Sequence, residues 1–201
     1  SGPQGWWNFI YGDGGFAAID FTDHRYLYTE AQWLAFDRSD DSGKTYTPKR
    51  NGLLDAGNSA NALFIAPVVM DPNNGSLLYA GSTRIWRTTN RGDNWTQFRS
   101  AVTGNPKCSA IDIYKSNSGV IWLGYDNGLV SYTINNGATW NDVGQPGGNR
   151  FVTDIAINPT PMATAEVIVT VGGNSGGNVW LTSDNGATWI QRTGSAPNDL
   201  P

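Results

Sequence analysis

Short apolar segments recur along the chain, and polar, glycine-rich turns separate them. No apolar segment follows the 3.6-residue period of a long amphipathic helix, and aromatic residues, which favour strands, make up 12% of the chain. The pattern therefore predicts an all-β chain with four groups of four short strands. We place them near residues 15–20, 26–32, 33–38 and 44–49; 62–70, 77–82, 84–88 and 95–99; 109–114, 119–125, 128–133 and 139–143; and 151–157, 166–171, 178–182 and 188–193.

A related octet lies between the third and fourth strand of each group. The four octets are SDDSGKTY (39–46), TTNRGDNW (88–95), TINNGATW (133–140) and TSDNGATW (182–189). They share the pattern Ser/Thr-x-Asp/Asn-x-Gly-x-x-aromatic, and their glycines are separated by 49, 45 and 49 residues. A four-stranded unit that repeats at this spacing is typical of a β-propeller blade.

Each octet has the residue types of a hairpin turn. The Asp or Asn accepts backbone N–H bonds, the glycine permits a positive φ, and the closing aromatic starts the return strand with a large apolar surface. We therefore predict a structural role for Asp41, Gly43 and Tyr46; Asn90, Gly92 and Trp95; Asn135, Gly137 and Trp140; and Asp184, Gly186 and Trp189.

These octets resemble Asp boxes, also called BNR repeats, of sialidases, xyloglucanase-type glycoside hydrolases, sortilin-type receptors and secreted bacterial propellers. The segments GDGGFAAIDFTDHRYLYTE (12–30) and MDPNNGSLLYAGSTRIWRTTNRGDNW (70–95) are most similar to the secreted bacterial group. Asn90 and Asn135 stand where the family has Asp, and an Asn can still form the turn bond. The resemblance implies a location outside the cell or at its surface, with the octet loops on the face opposite the ligand site.

The repeat also divides the chain. We predict blades at 12–50, 51–100, 101–145 and 146–196, with 1–11 as the outer strand of a preceding blade and 197–201 leading into a next one. Propellers with such boxes usually close with six or more blades. The chain is therefore expected to be part of a larger propeller whose remaining blades are its partners; a closed four-bladed ring is the alternative.

Charge and composition exclude some classes of binding partner. The net charge is −4 and the isoelectric point is about 4.8, which argues against nucleic acid or an anionic membrane surface. No stretch of 18 apolar residues is present, so no membrane insertion is expected. Cys108 is the only cysteine and cannot form an intrachain disulfide, and His24 is the only histidine, which excludes a site with several histidines. We expect neither a metal nor a cofactor.

A glycoside hydrolase needs two carboxyl groups across the scissile bond. Asp13, in YGDGG before the first inner strand, is the best single candidate, since it resembles a stretch around a catalytic Asp in xyloglucanases. That stretch has an extra residue before its double glycine, and a turn residue between glycines is the favoured interpretation of Asp13. No second carboxylate with comparable placement stands out, and Asp126, in YDNG (125–128), is the nearest candidate. The only glutamates, Glu30 and Glu166, fall on second strands rather than loops.

Sialidase chemistry is not expected. The Arg-Ile-Pro signature of sialidases is absent, and no arginine triad can be named, although a contribution from Arg25 and Arg150 is conceivable.

A non-catalytic binding site needs fewer specific residues than a catalytic site does. The candidate ligand-binding residues are Trp33, Asp126, Asn127 and Arg150, together with the long segment 51–61. The alternatives are packing between blades for Trp33 and a solvated charge or structural ion pair for Arg150. The leading interpretation is thus a non-catalytic propeller segment that recognises a glycan or an extracellular protein. Part of a glycoside hydrolase is the first alternative, and a purely structural scaffold is the second.

Overall fold

The computed structural model describes residues 12–160, 166–174 and 176–192. Within these ranges the predicted all-β organisation is confirmed: strands form four antiparallel sheets, each with four strands in sequence order. We call the sheets blades 1 to 4. Blade 1 holds β1 (Gly14–Ile19), β2 (Leu27–Ala31), β3 (Ala35–Ser39) and β4 (Thr47–Pro48); blade 2 holds β5 (Val68–Asp71), β6 (Asn74–Gly81), β7 (Ile85–Thr88) and β8 (Thr96–Arg99); blade 3 holds β9 (Cys108–Ile113), β10 (Ile121–Tyr125), β11 (Val130–Thr133) and β12 (Asn141–Asp142); blade 4 holds β13 (Val152–Ile157), β14 (Val167–Val171), β15 (Val179–Thr182) and β16 (Ile190–Gln191).

Several strands start later than the sequence pattern indicated, and β3 and β5 show why. Trp33 and Leu34 have φ angles of 59° and 64°, in the left-handed region, so β3 starts at Ala35. The strand expected at 62–70 is shortened because residues 62–67 belong to the connection between blades 1 and 2. The expected flanking pieces at 1–11 and 197–201 lie outside the described residues, and the blade limits remain predictions.

The hydrophobic core lies between the blades. Three buried clusters join blade 1 to 2, blade 2 to 3 and blade 3 to 4, because each sheet offers one face to each neighbour. Each cluster contains a large aromatic side chain from a second strand, and these three, Tyr28, Tyr79 and Trp122, are at most 1% exposed. This arrangement leaves the turns and connections at the two edges of the blades.

Antiparallel pairing separates the turns into two faces. The β1–β2 and β3–β4 turns of each blade lie at one edge, which we call the octet face because the octets form its β3–β4 turns. The β2–β3 turns and the connections between blades lie at the opposite edge, the connector face. In the described part of the chain no helix is present that is long and apolar enough to cross a membrane.

All four octets make the same turn bonds. The side-chain oxygen of the Asp or Asn accepts the backbone N–H four residues later, at 2.9, 2.9, 2.9 and 2.8 Å in chain order. The first hydroxyl accepts the glycine N–H at 2.8, 2.9, 3.0 and 2.8 Å. The glycines have φ between 79° and 87°. The octets are therefore one turn structure used four times.

This geometry predicts that Asp184→Ala lowers the melting temperature by a few degrees, about 2–6 °C. Alanine removes the acceptor of the Thr188 N–H and hydroxyl and of the Thr182 hydroxyl. Asp184→Asn is the matched control and should retain most of the stability, because Asn90 and Asn135 occupy the same position in octets two and three. Equal losses for Ala and Asn in a thermal melt followed by circular dichroism would contradict the turn assignment.

Candidate functional site

The connector end of blade 1 holds an open cavity of about 290 Å³. Its lining comes from the residues just before β1, from β1 and from the facing part of β2: Gly12, Gly14, Gly15, Phe16, Ala17, Thr29 and Glu30. Asp13 is exposed between two of these glycines, and its backbone N–H donates to Gln32 Oε1 at 2.8 Å. The structure therefore places the predicted carboxylate beside a cavity.

Exposed apolar side chains lie at this cavity and on the connection next to it. Phe16, which lines the cavity, is 40% exposed, and Phe64 and Ile65 of the connection from blade 1 to blade 2 are 48% and 39% exposed. Ile65 Cγ2 lies 3.2 Å from the position that a Cβ on Gly15 would take, so the connection from blade 1 to blade 2 forms one side of the cavity. The site thus combines exposed apolar groups with a carboxylate and an amide.

Glu30 is a feature of this site to which the sequence analysis gave no role. Its side chain lies on β2 and is only 2% exposed, with Oε1 accepting the N–H of Leu34 at 3.0 Å and of Ala66 at 3.4 Å, and Oε2 that of Phe16 at 3.4 Å. Burial raises the pKa of Glu30 to about 7, against the opposing effect of these bonds. One sequence feature could have indicated this site: a glutamate stands at an inward-facing position of β2, where apolar residues are expected, and a pair of glycines stands opposite it on β1.

Trp33 lies beneath the connection between blades 1 and 2. Its ring meets that of Phe64 edge to face at 5.6 Å between centroids. Its N–H donates to Phe64 O at 3.0 Å, and its carbonyl accepts the Gly57 N–H at 2.7 Å. Trp33 therefore supports the wall of the site by packing.

The segment 51–61 is anchored by a buried carboxylate. Asp55 is fully buried and accepts bonds from Asn61 Nδ2 at 2.8 Å, Ser82 Oγ at 2.6 Å, Trp86 Nε1 at 3.0 Å, and Arg84 Nε and Nη2 at 3.1 and 2.5 Å. Burial acts to raise the pKa of Asp55, but these bonds, those of Arg84 foremost, hold it below its usual range. The segment is thus fixed to the β6–β7 turn of blade 2.

Asp126 and Asn127 form the β10–β11 turn of blade 3. Asp126 Oδ1 accepts the Lys107 N–H at 3.0 Å, and the Asp126 N–H donates to Lys107 O at 2.9 Å. Asn127 Oδ1 accepts the Leu129 N–H at 3.1 Å, and its carbonyl accepts from Gln145 Nε2 at 2.6 Å. Both residues thereby join the turn to the neighbouring connections.

Arg150 is held by its own chain. Its Nε donates to Gly147 O at 2.9 Å, and Nη1 donates to Gly176 O at 3.1 Å and Asn178 Oδ1 at 3.0 Å. Its Nη2 donates to Gly177 O. The guanidinium group therefore fixes the β14–β15 turn of blade 4 to the connection from blade 3.

The candidates fall into two groups on the connector face. Asp13 and Trp33 lie at blade 1, whereas Asp126, Asn127 and Arg150 lie at blades 3 and 4, where a Cβ on Gly128 would be 3.0 Å from Arg150 N. Arg25 is on the octet face and is paired with Asp23 at 2.7 Å, so it cannot join Arg150 in one arginine cluster. Among the described residues no group of three or more His, Cys, Asp or Glu side chains could hold a metal ion.

Solved structures with the same fold are known, although no family model and no curated protein matches the chain. A GH74 enzyme from Niastella koreensis superposes with a TM-score of 0.70 at 16% identity, over 96% of this chain and 31% of that one. The chain is a segment of a β-propeller. It spans about a third of the GH74 chain, and at this identity the likeness concerns the fold alone.

Two further solved structures with a similar fold are not described as GH74 enzymes. YCF48 bound to a D1 peptide superposes with a TM-score of 0.60 at 15% identity, over 94% of this chain and 57% of YCF48. An auxiliary nutrient binding protein from Bacteroides thetaiotaomicron has a TM-score of 0.60 at 11% identity, over 86% of this chain and 39% of that one. One fold is therefore shared by proteins with different roles.

Proposed function

We propose that this chain is a segment of an Asp-box propeller that binds a carbohydrate or a protein segment at the connector end of blade 1, without catalysis. The observation that carries the proposal is the 290 Å³ cavity lined by the exposed Phe16, with the exposed Asp13 and the amide of Gln32 beside it. Exposed aromatic faces with a few polar partners suit a sugar ring or an amphipathic peptide. A location outside the cell or at its surface is part of this proposal.

The carboxyl groups favour binding over hydrolysis. Asp13 is exposed, but Glu30, the other carboxyl group at this cavity, accepts three backbone N–H groups from β1, the β2–β3 turn and the blade connection. Two carboxyl groups that both face a scissile bond are the usual requirement of glycosidases. The proteins described as peptide-bound and nutrient-binding support a binding role, though only through the fold.

Hydrolysis of a glycoside is the second candidate. The fold of the GH74 enzymes supports it, together with the pKa of Glu30 near 7, which lies in the range of general acids. Incubating the chain with a polysaccharide panel that includes xyloglucan separates the two. Turnover that disappears in Asp13→Asn would replace the binding proposal by the enzymatic one.

The binding proposal predicts that Asp13→Asn weakens binding about tenfold or more, as expected for the loss of a charged hydrogen-bond partner. A glycan array and a peptide library identify a ligand, and titration calorimetry then compares the variants. Asp23→Asn is the matched control, since Asp23 is a carboxylate on the octet face and should leave binding unchanged. Equal effects of the two substitutions, or an absence of ligands on both arrays, would contradict the proposal.

A further inference from the structure

A buried carboxyl group lies at the octet end of two junctions between blades. Asp20 in blade 1 and Asp71 in blade 2 occupy the same place, two positions after the first-strand residue that pairs with the buried tyrosine of the second strand. Both side chains are fully buried. A carboxylate in such a place is tolerated only when hydrogen bonds or an ion pair compensate it. The two junctions meet this requirement differently.

In the junction of blades 1 and 2, protein groups supply the partners. Asp20 Oδ2 accepts a hydrogen bond from Arg91 Nε of the second octet at 2.8 Å. Arg38, the residue before the first octet, donates from Nε to Asp40 and from Nη1 to Arg91 O at 2.6 Å. The buried carboxylate and the arginine beside it are therefore both paired.

The junction of blades 2 and 3 has the same carboxylate and arginine, Asp71 and Arg87, but different octet residues. Asn136 stands at the octet position of Arg91, and Thr89 stands at that of Asp40. The first difference removes the donor to the carboxylate, and the second removes the acceptor of the arginine Nε.

The structure shows the consequence. Of the buried polar side-chain atoms that lack a hydrogen-bond partner in the described part of the chain, three lie at this place: Asp71 Oδ2, Tyr79 Oη and Arg87 Nε. Tyr79 and Arg87 are a register pair on β6 and β7, and Asp71 is on the same side of the sheet. Burial raises the pKa of Tyr79 to about 12, with the charge of Arg87 acting against this rise and that of Asp71 adding to it. The three groups are thus near neighbours that do not bond one another directly.

Neighbouring residues hold the other atoms of these groups in place. Asp71 Oδ1 accepts the Asn73 N–H at 2.7 Å and the Ser118 hydroxyl at 2.9 Å. Arg87 Nη1 donates to Asn136 Oδ1 at 3.3 Å. The carboxylate and the guanidinium group are therefore fixed on both sides of the tyrosine hydroxyl.

A single water molecule suits all three atoms. Its oxygen can accept the Arg87 N–H and the Tyr79 O–H, and one of its hydrogens can be donated to Asp71 Oδ2. About three hydrogen bonds are usual for a buried water. The carboxylate would repel an anion and the guanidinium group would repel a cation, whereas water is neutral. Space for it is expected because Asn136 is shorter than the arginine at the same position of the preceding octet.

We propose that the junction of blades 2 and 3 is a binding site for one internal water molecule, which bridges Asp71 Oδ2, Tyr79 Oη and Arg87 Nε. The water serves Asp71 as the guanidinium group of Arg91 serves Asp20 in the preceding junction. The site lies at the octet end of the blades, so the inference is independent of ligand binding at the connector face.

Tyr79→Phe tests the bridge. It removes one of the three partners of the water, so the melting temperature should fall by about 2–4 °C. Tyr28→Phe is the matched control, because the Tyr28 hydroxyl is also buried without a partner among the described residues, but Asp20 and Arg38 beside it are paired by protein groups. Removal of a hydroxyl without a partner should leave the melting temperature unchanged or raise it. Equal effects of the two substitutions would overturn the proposal.

A second background ties the loss to this site. The double variant Thr89→Asp with Asn136→Arg introduces the octet residues of the preceding junction, so that protein groups replace the water as partners of the carboxylate and the arginine. Tyr79→Phe should then cost no more than Tyr28→Phe does. A cost that is undiminished in this background would contradict the bridge.

Direct observation needs no substitution and therefore decides the matter even if a variant does not fold. A crystal structure of the unaltered chain that resolves ordered waters should show one within hydrogen-bond distance of Asp71 Oδ2, Tyr79 Oη and Arg87 Nε. A tyrosine hydroxyl that bonds the carboxylate or the guanidinium group directly, with no water between them, would show the proposal to be wrong. An ion bound at the same point would do so as well.

Discussion

Replacing Asp55 by alanine is expected to lower the free energy of unfolding by about 3–5 kcal/mol, the range for breaking a buried ion pair from one side. The carboxylate is fully buried and accepts hydrogen bonds from the side chains of Asn61, Ser82, Arg84 and Trp86. Alanine would leave the Arg84 guanidinium group without its carboxylate and the Trp86 indole N–H with Ser82 Oγ as its remaining acceptor. Urea unfolding at neutral pH measures the loss, and cleavage within 51–61 by a protease should accelerate.

Asp23→Ala is the matched control for this prediction. Asp23 also binds an arginine through two nitrogens, with Arg25 Nε at 3.0 Å and Nη2 at 2.7 Å. That pair is in an exposed turn, where ion pairs contribute little to stability. If the two alanine variants unfolded at the same urea concentration, the assignment of Asp55 as the anchor of segment 51–61 would be wrong.

The four-blade architecture could be predicted because it depends on short, local sequence patterns. The octet needs only eight consecutive residues to form its turn bonds, so its recurrence at 39, 88, 133 and 182 indicated four blades without knowledge of distant contacts. The position of Trp33 was not predicted by the same pattern: it was expected as the first residue of a strand at 33–38, whereas it lies in the β2–β3 turn. Its left-handed φ could not be read from the pattern either, since a bulky residue rarely adopts that conformation.

The candidate site was only partly predictable, because its decisive contacts join distant residues. Asp55 meets Trp86 across 31 positions, and Glu30 meets Ala66 across 36. No local spacing distinguishes such a buried carboxylate from a surface one. Arg150 shows the converse: an arginine in a glycine-rich loop resembles a ligand-binding group in the sequence, but in the structure it donates to the carbonyls of Gly147, Gly176 and Gly177.

Glu30 leads to the second large expected effect, a stability that falls as the pH rises. Burial raises the pKa of Glu30 to about 7 in the folded chain, from an ordinary value of 4.5. Between these two values the folded state binds the proton more tightly than the unfolded state. The contribution is therefore complete below about pH 4.5 and is lost as the pH rises to about 7, with a total near 3 kcal/mol.

Comparison with Glu30→Gln isolates this contribution, because glutamine does not titrate and every other group is common to both proteins. The difference in unfolding free energy, wild type minus variant, should fall by about 3 kcal/mol between pH 4.5 and 7.5 in urea titrations. A difference that stays constant over this range would show that Glu30 keeps an ordinary pKa in the folded chain.

A pair of glycine substitutions tests the position of the Glu30 carboxyl group independently of pH. A Cβ on Gly15 would collide with Glu30 Oε2, whereas nothing lies within 4 Å of a Cβ on Gly14. Gly15→Ala should therefore displace the carboxyl group from the N–H groups of Phe16 and Leu34 and lower the melting temperature by about 4 °C or more. Gly14→Ala should have little effect, and its own pH dependence should match that of the wild type. If the two alanine variants melted together, the carboxyl group would not lie over β1, and the raised pKa would lose its structural cause.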